Sequence, residues 1–172
     1  MRIYAMGIAE RLNGDDARAL LANCCAAAAW VDGMLAARPF ADDDAALLAA
    51  AEAALPLGEA DWLEAFAAHP RIGDVESLRA KYAATKQLAA GEQAGVAGAD
   101  EATLAELAEF NRAYHEKFGF IFIVFATGKS AAEMLAILKS RLGNARDQEI
   151  RNAAVEQMKI TRLRLTKLAS GR

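Results

Sequence analysis

Apolar residues recur along this chain at spacings of three and four, and the interruptions fall at proline, glycine and runs of aspartate. Leu20, Leu21, Cys24, Ala28 and Val31 predict one helix, opened by Asp15 or Asp16 and running towards Ala36. Arg38-Pro39-Phe40 breaks it. Asp42, Asp43 and Asp44 then open a helix to about Leu55, as cap and dipole complement rather than as a metal cluster. Pro56-Leu57-Gly58 is a second break. A short helix from Asp61 to Ala68 stops at His69, because Pro70 disfavours the α conformation in the residue before it. Val75 to Gln93 reads as the next helix, with Gly95 as its stop. Ala102 to Lys117 follows, with Leu104, Leu107, Phe110 or Asn111, and Tyr114 on one side.

The run from Phe118 to Ala126 is different: aromatic, β-branched and without alternation. A lone strand would have no partner among helices, so the run predicts a buried helix or an extended apolar wall. Thr127-Gly128-Lys129-Ser130 imitates the end of a phosphate loop, but the spacing needs glycine where Ile123 stands. Ser130 with Glu133 fits a capping box for a helix to about Leu142. Gly143-Asn144 ends that helix and caps the last one. The last helix carries Ile150, Ala154, Met158, Thr161, Leu165 and Leu168 as its apolar stripe. Arg162 and Arg164 flank the stripe about equally, so periodicity alone leaves open which of them reaches inward.

Composition narrows the class to all-α. Of 172 residues 55% are hydrophobic, a share inflated by alanine, the strongest helix former, and prolines number three. The length predicts a single domain over 1–172. A net charge of −3, with acids and bases interspersed, offers no nucleic-acid surface. The start is too short for a secretory core, and no apolar run is long enough for a membrane span, so a cytoplasmic protein is expected. Cys24 and Cys25 are neighbours on a helix and predict buried fillers rather than a disulfide framework.

Little chemistry is left to choose from. Two histidines and two vicinal cysteines give no zinc-type spacing, and no glycine-rich dinucleotide loop occurs. A Cys-His nucleophile pair is disfavoured, since cysteines inside an alanine-rich helix are poor sources of exposed thiolate. His69 stands at a helix end on a backbone stiffened by Pro70 and turned by Gly73. That is either an ordinary helix terminus or a rigid mount for a proton-handling imidazole. Glu92 falls in the last turn of its predicted helix, where the dipole disfavours negative charge, a mild hint of use elsewhere.

Three motifs now resemble a known family. They are His69-Pro70-Arg71-Ile72-Gly73-Asp74, then Gly91-Glu92-Gln93-Ala94-Gly95, then Asn111-x-x-Tyr114-x-x-Lys117-Phe118-Gly119-Phe120-Ile121-Phe122. Together they look like 2-oxo-4-hydroxy-4-carboxy-5-ureidoimidazoline (OHCU) decarboxylase, which closes urate breakdown by forming (S)-allantoin. Leu12-Asn13, Trp30, Arg38-Pro39-Phe40 and Glu156-x-x-Lys159-Ile160-x-x-x-Arg164-Leu165 extend the resemblance over nearly the whole chain. It implies an all-α bundle-like domain, a homodimer, and a carboxy-lyase with no metal or organic cofactor.

Residue by residue, the resemblance implies that His69 is the catalytic histidine, with Glu92 beside it, and that Pro70 lines the substrate. Glu92 and Gln93 would hold the ureido and ring amide groups. Phe122, Ile123, Val124, Phe125 and Ala126 would supply backbone contacts, and Arg164 rather than Arg162 would be the family's arginine. Ala89 stands where the family often has serine, a lost hydroxyl contact worth about 0.5–1.5 kcal/mol. Two other readings compete: a non-catalytic helical binding module, and a decarboxylase or hydrolase for a related ureido acid with Ala89 marking the altered pocket.

Overall fold

The structure is a computed structural model that describes residues 5–71, 74–89 and 100–169, without the side chains of 83–89. The described residues form helices and connecting segments, with no strand among them, so the chain is all-α. They fall into two compact units, one built from the chain up to His69 together with Ile150 onward, the other from Pro70–Glu149.

The first unit contains α1 (Ile8–Leu12), α2 (Ala17–Cys24), α3 (Ala28–Ala36), α4 (Asp43–Ala54) and α5 (Glu59–Ala67), with the greater part of α9 (Arg146–Leu168). Helix α3 packs on α2, α4 and α5, and α1 packs on α2 and α4. Trp30 is the fully buried centre of α3, and its indole N–H donates to the Ala50 carbonyl at 3.1 Å, so its one polar atom is satisfied. The aspartate run works as caps: Asp42 accepts from the Ala45 amide at 2.8 Å, and Asp43 reaches across to accept from the Ala9 amide of α1 at 2.9 Å. Asn13 and Phe40 exchange two hydrogen bonds, while Arg38 donates to the carbonyls of Leu12 and Gly14 at the C-terminal end of α1. Several residues of the family resemblance (Asn13, Trp30, Arg38 and Phe40) therefore have framework roles.

The single helix expected from Asp15 or Asp16 to Ala36 is in fact two. Cys25 turns extended at φ −152° and ψ 122°, and Ala27 follows in the same region. No proline or glycine marks this break. Its carbonyls have partners elsewhere instead: Cys24 O accepts from Thr161 and Arg164, and Asn23 O from Arg164. Helix α3 gains the cap it lacks locally from the Glu64 carboxylate of α5, which accepts from the Ala28 amide. Asp16 occupies the N-cap position of α2 without a side-chain cap bond.

The second unit contains α6 (Val75–Ala89), α7 (Glu101–Phe118), α8 (Ala131–Leu142) and the first turn of α9. Helix α7 packs on α6 and α8, and ends at Gly119, whose φ of +81° only glycine adopts without strain. The expected capping box opens α8, with Ser130 and Glu133 each accepting from the other's amide. Asn144 does not cap α9. The N-cap position falls on Ala145, whose carbonyl accepts from the Glu149 amide, and the Asn144 side chain donates to the Glu149 carboxylate. Gly73 and the continuation from Ala90 to Gly95 lie outside the described residues.

Candidate active site

His69 follows the C-cap residue Ala68 of α5, and its amide donates to the Phe66 carbonyl at 3.2 Å. The ring is half-buried, and its Nε2 lies 2.6 Å from Oε1 of Gln157 on α9. Burial pushes the imidazole below its ordinary pKa of 6.5, the hydrogen bond to Gln157 opposes this, and the charge of Arg164 adds to the lowering. The neutral form of the ring is thus favoured, and the ring lies within the electrostatic reach of a guanidinium.

Helix α9 supplies that guanidinium. Its buried positions in this unit are Ile150, Ala153, Gln157, Thr161 and Leu165, nearly every fourth residue. The inward face is therefore rotated from the apolar stripe read in the sequence, and a glutamine lies at its middle. Arg162 is exposed. Arg164 is half-buried and donates Nη1 to the carbonyls of Asn23 and Cys24, both at 3.4 Å, where a cation suits the C-terminal end of α2. Among the described residues its other guanidinium nitrogens have no hydrogen-bond partner. Cys24 and Cys25 are buried beside this group, and burial raises both thiols, Cys24 to about 11. Neither supplies thiolate near neutral pH.

In the second unit the run after α7 is neither helix nor strand. Phe120, Ile123 and Val124 are buried, while Phe122, Phe125 and Ala126 are half-buried. Two of its carbonyls are held by side chains: Ile123 O accepts from Arg141 at 2.6 Å, and Phe125 O from the Lys129 ammonium at 2.7 Å. Among the described residues no hydrogen bond uses the amides of residues 121–126. Arg141 is itself buried, stacked 4.8 Å from the centre of the Phe122 ring and paired with Glu149 at 2.8 Å. Pro70 is exposed. Glu92 and Gln93 lie outside the described residues, as does the side chain of Ala89 at the end of α6.

Gln157 is the site residue that apolar periodicity passes over, because a polar residue on a buried face reads as a gap in the stripe. The available signal was its position four residues before Thr161 and beside the Glu156-x-x-Lys159 motif. A glutamine at that spacing is able to bond along its own helix and outward at once.

The chain is 39% identical over 147 residues to the uric acid degradation bifunctional protein TTL of Arabidopsis thaliana, covering 86% of this chain and 45% of TTL. It is 40% identical over 73 residues to an OHCU decarboxylase of Amia calva, 42% of each chain. The chain thus spans less than half the length of these curated relatives. A crystal structure of OHCU decarboxylase in the presence of (S)-allantoin superposes with a TM-score of 0.72 at 37% identity, covering 91% of this chain and 99% of that one. An (S)-allantoin synthase structure shares the fold at a TM-score of 0.69 and 19% identity, over 95% of this chain and 54% of its own. The sequence profile of OHCU decarboxylases matches residues 10–166, and this chain belongs to the OHCU decarboxylase family.

Proposed function

We propose that this chain is a carboxy-lyase converting OHCU to (S)-allantoin without a cofactor. The observation that carries the reading is that α5 and α9 bring a neutral, half-buried His69 within reach of the charge of Arg164, in a chain of this family. The substrate bears its carboxylate on a carbon next to a C=N bond. When the C–C bond breaks, its electron pair moves towards that imine, whose nitrogen takes a proton, and CO₂ leaves. The hydroxyl on the former carboxyl-bearing carbon then gives up its proton as the carbonyl forms, and the ureido-bearing carbon gains one. Overall one proton is consumed, and no external electron sink is needed.

In this reading His69 takes the hydroxyl proton and returns a proton to one face of the ureido-bearing carbon, which sets the S configuration. A ring kept neutral by burial is suited to the first of these steps. Arg164 orients the substrate carboxylate through its unengaged guanidinium nitrogens. Glu92 would poise the proton, and Gln93 would read the amide pattern of the ureido and ring groups. Pro70, Ala89 and the amides of Phe122, Ile123, Val124, Phe125 and Ala126 would contact the substrate. These roles rest on the family resemblance. So do a homodimer and a cytoplasmic location; among the described residues no helix is long and apolar enough to cross a membrane.

The test is a coupled assay in which urate is oxidised and ring-opened in place, then the protein is added while optical rotation is followed. Rapid formation of dextrorotatory allantoin supports the reading. Racemic product at the uncatalysed rate rejects it.

A further inference from the structure

The hydrogen bonds behind His69 form a chain with a fixed direction. Cys24 O, at the end of α2, can only accept. Thr161 Oγ lies 3.1 Å from it and 2.9 Å from the Gln157 carbonyl, so its single proton is given to these carbonyls and a lone pair is left to accept from another donor. The Gln157 side-chain nitrogen, 3.1 Å from Thr161 Oγ, therefore donates to it. That leaves Gln157 Oε1 towards His69 Nε2 at 2.6 Å, and an amide oxygen there requires a proton on Nε2. Reversing the amide would aim the hydroxyl proton at Gln157 and set the Thr161 lone pairs against two carbonyls, all of them buried.

We propose that Gln157 and Thr161 are positioning residues, which hold the proton of neutral His69 on Nε2 and leave Nδ1 as the nitrogen that exchanges a proton with substrate. The proposal rests on His69 acting in the reaction. It adds which nitrogen acts, and which residues outside the substrate's reach decide it. The anchor is the carbonyl freed where α2 breaks from α3, so a helix end with no sequence marker becomes part of the histidine's support.

The experiment is ¹⁵N NMR of the histidine rings, practical because the chain has only His69 and His115, with His115→Asn identifying each signal by subtraction. At a pH where His69 is neutral, the wild type should show Nε2 protonated and Nδ1 bare. Thr161→Val keeps the shape and removes the hydroxyl; Thr161→Ser keeps the hydroxyl. The valine variant should lose the single tautomer and lower kcat about tenfold or more with KM within about twofold, and the serine variant should restore both. Adding (S)-allantoin should shift the Nδ1 signal and leave Nε2 protonated.

A wild-type ring protonated on Nδ1 would overturn the proposal, as would an unchanged tautomer in Thr161→Val or an allantoin shift confined to Nε2. The NMR assignment in the unliganded protein does not use turnover. Stereospecific turnover surviving in His69→Ala would remove the functional reading yet leave the tautomer assignment standing, so the two failures are distinguishable.

Discussion

Two buried polar clusters in this protein differ in one respect that separates structure from chemistry. In the second unit, Glu149 is fully buried and accepts from Tyr114, from Arg141 and from Asn144, while Arg141 also donates to the Ile123 carbonyl and to the Tyr114 oxygen. Burial first, then the Glu149 carboxylate, pushes the Tyr114 hydroxyl above its ordinary pKa, so it stays a donor. Donors and acceptors in this cluster are spent on one another. In the first unit, His69 and Arg164 are half-buried; among the described residues the imidazole uses Nε2 alone, and the guanidinium offers one nitrogen to two carbonyls at long range. A saturated cluster holds a fold. The proposed function assigns the cluster with capacity in reserve to the substrate.

The sharpest way to break this contrast is to remove the imidazole. His69→Ala should lower kcat by about 100-fold or more, the usual contribution of general acid–base catalysis, and should abolish the stereochemical preference. Circular dichroism and the unfolding midpoint should stay close to wild type, since the ring is half-buried and makes one side-chain hydrogen bond. Wild-type stereospecific turnover would end the assignment. Glu149→Ala should do the reverse. It strands a buried guanidinium and a buried phenol, so denaturant unfolding should show a loss of about 3–5 kcal/mol. A loss below about 1 kcal/mol would mean that the saturated cluster is not what holds that unit.

The next comparison is between two arginines on one helix. Arg164→Ala should raise KM, lower kcat/KM by about 10–100-fold, and thereby measure a charge-assisted contact of about 1.5–3 kcal/mol. Arg162 is exposed, and Arg162→Ala should stay within about twofold of wild type, as for other surface changes. Equal effects from the two would remove Arg164 from the site.

How much of this was legible in the sequence follows the same division. Helix ends carrying their own chemistry were readable: Asp42, the Ser130–Glu133 box, and the stop at Ala68 before His69-Pro70. The break after Cys24 was not, because it answers to partners on α9 far along the chain. For the same reason periodicity left Arg162 and Arg164 equivalent; burial and the carbonyls at the end of α2 separate them in the structure. Gln157 and Glu149 escaped the hydropathy pattern because a buried polar residue marks its face only once its partners are known. The wall after Phe118 was recognisable as exceptional, yet a nonalternating apolar run does not distinguish an extended segment from a buried helix.

The smallest expected effect concerns pH, and its sign follows from the environment of His69. Burial and then the charge of Arg164 lower its pKa, against the hydrogen bond to Gln157, so the neutral ring persists below 6.5. If neutral His69 starts the reaction, the acid limb of kcat/KM should have its midpoint below that value. The nearby Cys24, raised to about 11, does not titrate in this range. Stability should change in the same direction: an unfolded chain takes up the proton near 6.5 and the folded one resists, so this contribution is present above 6.5 and is lost as pH falls through the lowered folded value. Arg164→Ala removes one cause of the lowering and leaves burial in place, so the residual activity should show its acid limb moved upward, towards 6.5. A limb that stays put would mean that the guanidinium does not act on the imidazole. A limb that moves down would contradict the sign of the Arg164 charge on the imidazole.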